Sequence, residues 1–163
     1  MLKTLKAACL ALLLAAAAPL AVAAHNYAIG ALRIGHPWSP PNPPGAPTAA
    51  GYLTIYNLGR VPDRLLGGVS PMFGHIEVHE MSMAGGIMRM RPLPQGLVVP
   101  PGATVSLAPG GLHLMMIGPR RPFRIGERIP VTLRFERAGS VPVEFYVQAA
   151  PMDGMSGMGG MRH

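Results

Sequence analysis

Cysteine is nearly missing from this chain of 163 residues: its one copy, Cys9, lies in an apolar N-terminal segment. Residues 1–24 have the anatomy of a secretory signal peptide. Lys3 and Lys6 supply the positive start, Ala7 to Leu20 a nearly unbroken apolar run, and Ala21-Val22-Ala23 the small residues of a cleavage site. The run is too short and too alanine-rich for a comfortable membrane span. Cys9 is no convincing lipidation site, because Lys6 stands where such a site wants an apolar residue. Cleavage after Ala23 or Ala24 leaves an exported, periplasmic chain with no thiol and no disulfide, and no membrane insertion. A blue-copper electron-transfer centre is thereby excluded, since it needs a cysteine thiolate.

Lysine is missing from the mature chain too, because both copies fall in the signal. Twelve arginines face seven acidic residues, a net charge of +5. The arginines are scattered apart from Arg120, Arg121, Arg124 and Arg128. No basic stripe is interleaved with aromatics, which argues against nucleic-acid binding. The charge serves solubility, or steers the protein toward an acidic partner face. There is no serine–histidine–acid arrangement, phosphate loop or paired-acid motif, so the chain does not read as an enzyme.

Long stretches of 3.6-residue periodicity are absent as well, and Gly and Pro are abundant. Short β-branched or aromatic runs recur between turn signals, which is the all-β pattern. The expected strands are 27–35, 49–57, 64–70, 76–83, 87–91, 104–107, 113–117, 127–137 and 141–149. In the last two, Val131, Leu133 and Phe135 alternate with polar residues, and Val141, Val143, Phe145 and Val147 point one way, with Ala138-Gly139-Ser140 as the turn between them. Pro40 to Gly45 cannot be a central strand, because proline lacks the ladder donor. About nine short strands in one domain, residues 25–150, favour a two-sheet Greek-key sandwich, and about 139 residues suffice for a real core. Residues 151–163 form a different segment. Met152, Met155, Met158 and Met161 recur every third residue among Gly, Ser and Asp and end at His163. Nothing there can pack a core, so a disordered tail that captures metal is the expectation.

What is present and chemically distinctive is a set of four residues, His79, Met90, His113 and Met115, in the segments HEMSMAGGIMRM and HLMM. Two imidazoles and two thioethers form a soft, uncharged ligand set suited to Cu(I). Zinc would ask for cysteine or carboxylate beside histidine. If Gly85-Gly86 is a two-residue hairpin turn, Met81 faces Met90, Met83 faces Met88, and alternation places all four with His79 on one side. His113 and Met115, two apart, share a face of a third strand. A three-residue turn would instead send Met88 and Met90 to the opposite face. Met72 and Met116 read as core filler, and His36 and His75 as structural or exposed. Met81, Met83 and Met88 stay undecided. His25, at the start of the mature chain, offers an amine–imidazole chelate for Cu(II).

At these residues the sequence resembles the periplasmic copper chaperone family often called PCuAC. That family carries a His, a Met eleven positions later, and a His-x-Met some twenty positions on, here His79, Met90, His113 and Met115. HPWSPPNPPGAPTAAGYLTIYN (36–57), VHEMSMAGGIMRMRPL (78–93), PGGLHLMMIG (109–118) and the strand pair at 127–147 also look like family segments. The resemblance implies a cupredoxin-like β-sandwich that binds one Cu(I) at a solvent-accessible rim. It also implies delivery toward the CuA-containing subunit of cytochrome c oxidase, alongside a Sco-type protein. A Met- and His-rich extension in some members is associated with further copper, including Cu(II). With four Met and one His, this tail is better matched to Cu(I). The expected protein is a monomeric metallochaperone. The competing readings are a Cu(I)/Ag(I) buffer without a dedicated acceptor, and a copper oxidoreductase centred on His25.

Overall fold

The computed structural model describes residues 26–151. The expected signal segment, His25 and the tail residues Met152, Met155, Met158, Met161 and His163 lie outside the described residues. Among the described residues every regular element is a strand. They are β1 (Tyr27–Ile29), β2 (Leu32–Ser39), β3 (Thr48–Asn57), β4 (Asp63–Val69), β5 (His75–Ala84), β6 (Ile87–Pro92), β7 (Leu97–Val99), β8 (Thr104–Leu107), β9 (Leu112–Ile117), β10 (Arg128–Phe135) and β11 (Gly139–Val147). Among the described residues no helix is long and apolar enough to cross a membrane.

The strands run in the hydrogen-bonded order β1-β2-β11-β10-β4-β5-β9-β3-β8, with β6 on β5 and β7 on β4. A further β2–β3 pairing closes the circuit. The sheet therefore wraps around its own core as a β-sandwich. All pairings are antiparallel except β11 with β2.

Alternation explains the core. Val131, Leu133 and Phe135 on β10 and Val141, Val143, Phe145 and Val147 on β11 are buried, while their polar neighbours face solvent. Ile76 and Val78 on β5 and Leu114 and Met116 on β9 join the same cluster. Each such side chain contributes about 1.5–3 kcal/mol on burial. Met116 is core filler, as expected, and Met72 packs partly buried against the cluster.

Three local expectations need correction. The run 27–35 breaks into β1 and β2, because Gly30 adopts a positive φ of 55° and turns the chain. The short strand β7, pairing Asp63↔Val99 through Leu65↔Leu97, has too few residues to show alternation. The β10–β11 turn lies at residues 136–138, not 138–140: Phe135 pairs with Gly139, whose φ is 94°. The buried Asp63 carboxylate holds that turn by accepting the N–H groups of Arg137 and Ala138, each at 2.9 Å. Its side chain also accepts from the Arg64 N–H at 2.7 Å.

Candidate metal centre

The Gly85-Gly86 pair makes a two-residue turn, with φ values of 61° and 77°, the signs a type I′ hairpin requires. Met83 then opposes Met88, Met81 opposes Met90, and His79 opposes Pro92. On the other side of β5, His79 opposes His113 and Glu77 opposes Met115. Because Ile76, Val78, Leu114 and Met116 point into the core, their alternates point outward. Glu77, His79, Met81 and Met90 thus share the outer face with His113 and Met115. All four residues singled out in the sequence fall on this one face. The conditional register, the two-residue turn, is the one present.

The third strand ends where the hairpin continues. β9 pairs with β5 only as far as Glu80↔Leu112, and the Met81 N–H then bonds the Gly111 carbonyl at 3.1 Å. Beyond that point the β5–β6 hairpin stands alone as an arm. His113 lies at its base, only 4% exposed. A depression of about 270 Å³ is lined there by Met81, Met90, His113 and Met115, together with Thr48, Ala49, Ala50 and Tyr52 of β3. Two larger grooves carry no such convergence: one of about 540 Å³ contains His36, Trp38 and Pro151, and one of about 380 Å³ contains Tyr27, Val69 and Arg128. The smaller depression is the candidate because its lining holds Met90, His113 and Met115, three of the four residues singled out in the sequence, while His79 does not line it.

Each imidazole has one nitrogen engaged. His79 Nε2 lies 2.8 Å from Glu77 Oε2, and His113 Nδ1 lies 3.0 Å from the Gly111 carbonyl. Both acceptors fix the tautomer, so the lone pairs fall to His79 Nδ1 and His113 Nε2. His79 Nδ1 is buried with no hydrogen-bond partner. Such an orphan is costly unless something else satisfies it. The two rings stand 5.9 Å apart between centroids. A carboxylate or carbonyl behind a histidine is the usual outer support of a metal-ligating imidazole. Glu77 also reaches His75, with Oε1 3.3 Å from its Nε2.

Glu77 and Tyr52 did not emerge from the sequence. Glu77 was available there, since it stands two residues before His79 and shares its face by alternation. Tyr52 was not, because its approach depends on the β3–β9 pairing. Burial raises the Tyr52 phenol above its usual value, so it remains a neutral O–H. Trp38 packs against it, with ring centroids 4.7 Å apart and planes tilted by 39°. A bulge between Gly35 and Trp38 shifts the alternation of β2 and turns Trp38 to the outer face. His36, on that bulge, is exposed with a φ of 47°. Among the described residues no three His, Cys, Asp or Glu side chains form a metal cluster.

Residues 32–147 match the family described as "Putative lipoprotein LpqE-like", which is the PCuAC family. The chain belongs to this family. The copper-bound PCuAC domain from PmoF2 is 31% identical, with a TM-score of 0.66 over 78% of this chain and 99% of that one. The apo PCuAC domain from PmoF1 is 28% identical, with a TM-score of 0.65 over 77% and 99%. The Cu(I) form of DR1885 from Deinococcus radiodurans is 25% identical, with a TM-score of 0.57 over 78% and 83%. A curated relative from Leifsonia xyli subsp. xyli, "Putative lipoprotein Lxx21020", is 32% identical over 113 residues, 69% of this chain and 65% of that relative's length. This PCuAC member therefore has the family's cupredoxin-like β-sandwich.

Proposed function

We propose that this protein is a copper metallochaperone that carries one Cu(I) on His79, Met90, His113 and Met115. The observation that carries the reading is the register: His79 directly opposes His113, and Met90 and Met115 lie on the same outer face. The copper-bound and Cu(I) forms of the PmoF2 and DR1885 relatives support it. Thioethers and neutral imidazoles suit Cu(I) and give hard cations no carboxylate within the set. Met90 stands at the exposed base of the arm, 48% accessible. An incoming thiolate or imidazole of a partner displaces it first, and a thiolate acceptor makes the handover run downhill. The role is transfer, not catalysis.

The finer reading is delivery toward the CuA subunit of cytochrome c oxidase with a Sco-type protein, from the periplasm. The lipoprotein name of the Leifsonia relative supports export. Here the sole cysteine lies at position 9, behind Lys6, within the expected signal segment. The tail residues Met152, Met155, Met158, Met161 and His163 add a secondary site, for Cu(I) more than Cu(II). The exposed Met83 and Met88 favour one alternative, a Cu(I)/Ag(I) buffer with no dedicated acceptor. Transfer from the loaded protein to an apo CuA domain, compared with transfer to a small chelator, decides between them. Selective protein-to-protein handover is expected; equal release to both would sink the chaperone reading.

A further inference from the structure

The metallochaperone reading leaves Met83 and Met88 unused, and they make no sense as packing. They are 68% and 57% exposed and sit at the tip of an arm that no third strand covers. An exposed methionine contributes little burial energy, so core filling does not account for two of them placed opposite each other. Their positions are specific. In a hairpin closed by a two-residue turn, Ala84 and Ile87 form the hydrogen-bonded pair next to it. Met83↔Met88 is then a non-hydrogen-bonded rung, as is Met81↔Met90. Side chains on such rungs approach most closely, with Cβ atoms about 4.5–5.5 Å apart. The two rungs are two residues apart, about 7 Å along the strand.

The arm is divided chemically by face. One face carries Met81, Met83, Met88 and Met90. The other carries Ser82, Arg89 and the Glu80–Arg91 ion pair at 2.6 Å. Glu80 is thus held on the far face by an arginine, and the hairpin's other carboxylate, Glu77, lies toward its root, engaged with His79. From Met81 outward, the thioether face offers sulfur and no carboxylate.

We propose that Met83 and Met88 form a second, weaker site for a soft monovalent cation, Cu(I) or Ag(I), one rung outward from the primary centre. Two thioethers without imidazole bind more weakly than the full set, and the site lies on the exposed route between solvent and Met90. The proposal rests on the reading of this face as a soft-metal surface, and the two fail separately in one experiment. The full chain, labelled at the methionine methyl carbons, is titrated with Ag(I) as a redox-inert stand-in and followed by NMR. The first equivalent is expected to move the Met90 and Met115 methyls. Further equivalents are expected to move Met83 and Met88 together, and Met83→Leu should abolish the Met88 shift while the first-equivalent shifts remain. Tail methionines give separate resonances. If Met83 and Met88 stay still at several equivalents, or if Met88 shifts as before in Met83→Leu, the second site does not exist. If Met90 and Met115 stay still, the primary assignment fails instead.

Discussion

Removing the Glu77 carboxylate should weaken copper binding without unfolding the protein. Glu77 accepts the His79 Nε2 proton at 2.8 Å and thereby leaves the Nδ1 lone pair free, buried and unpartnered. Glu77→Gln keeps an acceptor oxygen but loses the charge. A hydrogen bond to a charged group contributes about 1.5–3 kcal/mol against about 0.5–1.5 for a neutral one. The His79 side chain is only 12% exposed, but the Glu77 side chain is 43% exposed, so water screens part of that difference. About 0.5–1 kcal/mol remains, a two- to fivefold loss of Cu(I) affinity. Glu77→Ala removes the acceptor and should cost about 10–100-fold, the usual effect of losing an outer-shell partner. Competition titration with a chromophoric Cu(I) chelator measures both. Imidazole 15N shifts of the metal-free protein read the tautomer directly: Nε2–H for His79 in the wild type, and a mixture in Glu77→Ala. Unchanged or tighter copper binding in Glu77→Ala would refute the reasoning, since it would mean that Glu77 restrains His79 rather than supporting it.

Other outcomes follow from particular contacts. Inserting one alanine between Ile87 and Met88 keeps the two-residue turn and moves Met88 and Met90 to the opposite face. Cu(I) affinity should then fall to that of Met90→Leu while circular dichroism stays native, and retained affinity would show that register is unimportant. Asp63→Ala strips the acceptor from three backbone N–H groups of Arg64, Arg137 and Ala138. It should destabilise the fold by about 2–4 kcal/mol in urea, with copper stoichiometry per folded molecule unchanged. Glu127 is held below the usual carboxylate range, chiefly by the hydrogen bond from Arg121, with burial opposing and Arg124 assisting. Its folded value lies below its unfolded one, so the contribution is present above the unfolded carboxylate range and is lost as pH falls through the folded value. Arg121→Ala should flatten that acid limb in urea midpoints measured against pH, and a limb of unchanged steepness would mean the pair is not felt.

The sheet and the metal face were legible to different degrees. Strict alternation made β10 and β11 readable, because each buries one face and wets the other. The Gly85-Gly86 pair made the β5–β6 hairpin readable, since two successive positive φ angles ask for glycine. Alternation from His79 then placed Met81, Met83, Met88 and Met90 together. Short-range rules reach no further. The neighbours of His113 depend on β9 pairing with both β5 and β3, partners 32 or more positions away in sequence, and no local pattern encodes that. Tyr52 therefore stayed out of the reading. Gly139 misled the turn placement, because its φ of 94° serves the first paired position after the loop and not the loop itself.

The central claim is the mixed donor set, and X-ray absorption at the copper K-edge of the full chain loaded with one equivalent of Cu(I) tests it most directly. The account predicts a first shell with both imidazole nitrogen and thioether sulfur in equal number, a sulfur being lost in Met90→Leu or Met115→Leu and a nitrogen in His113→Ala. A shell of sulfur alone, or one unchanged by all three substitutions, would contradict it.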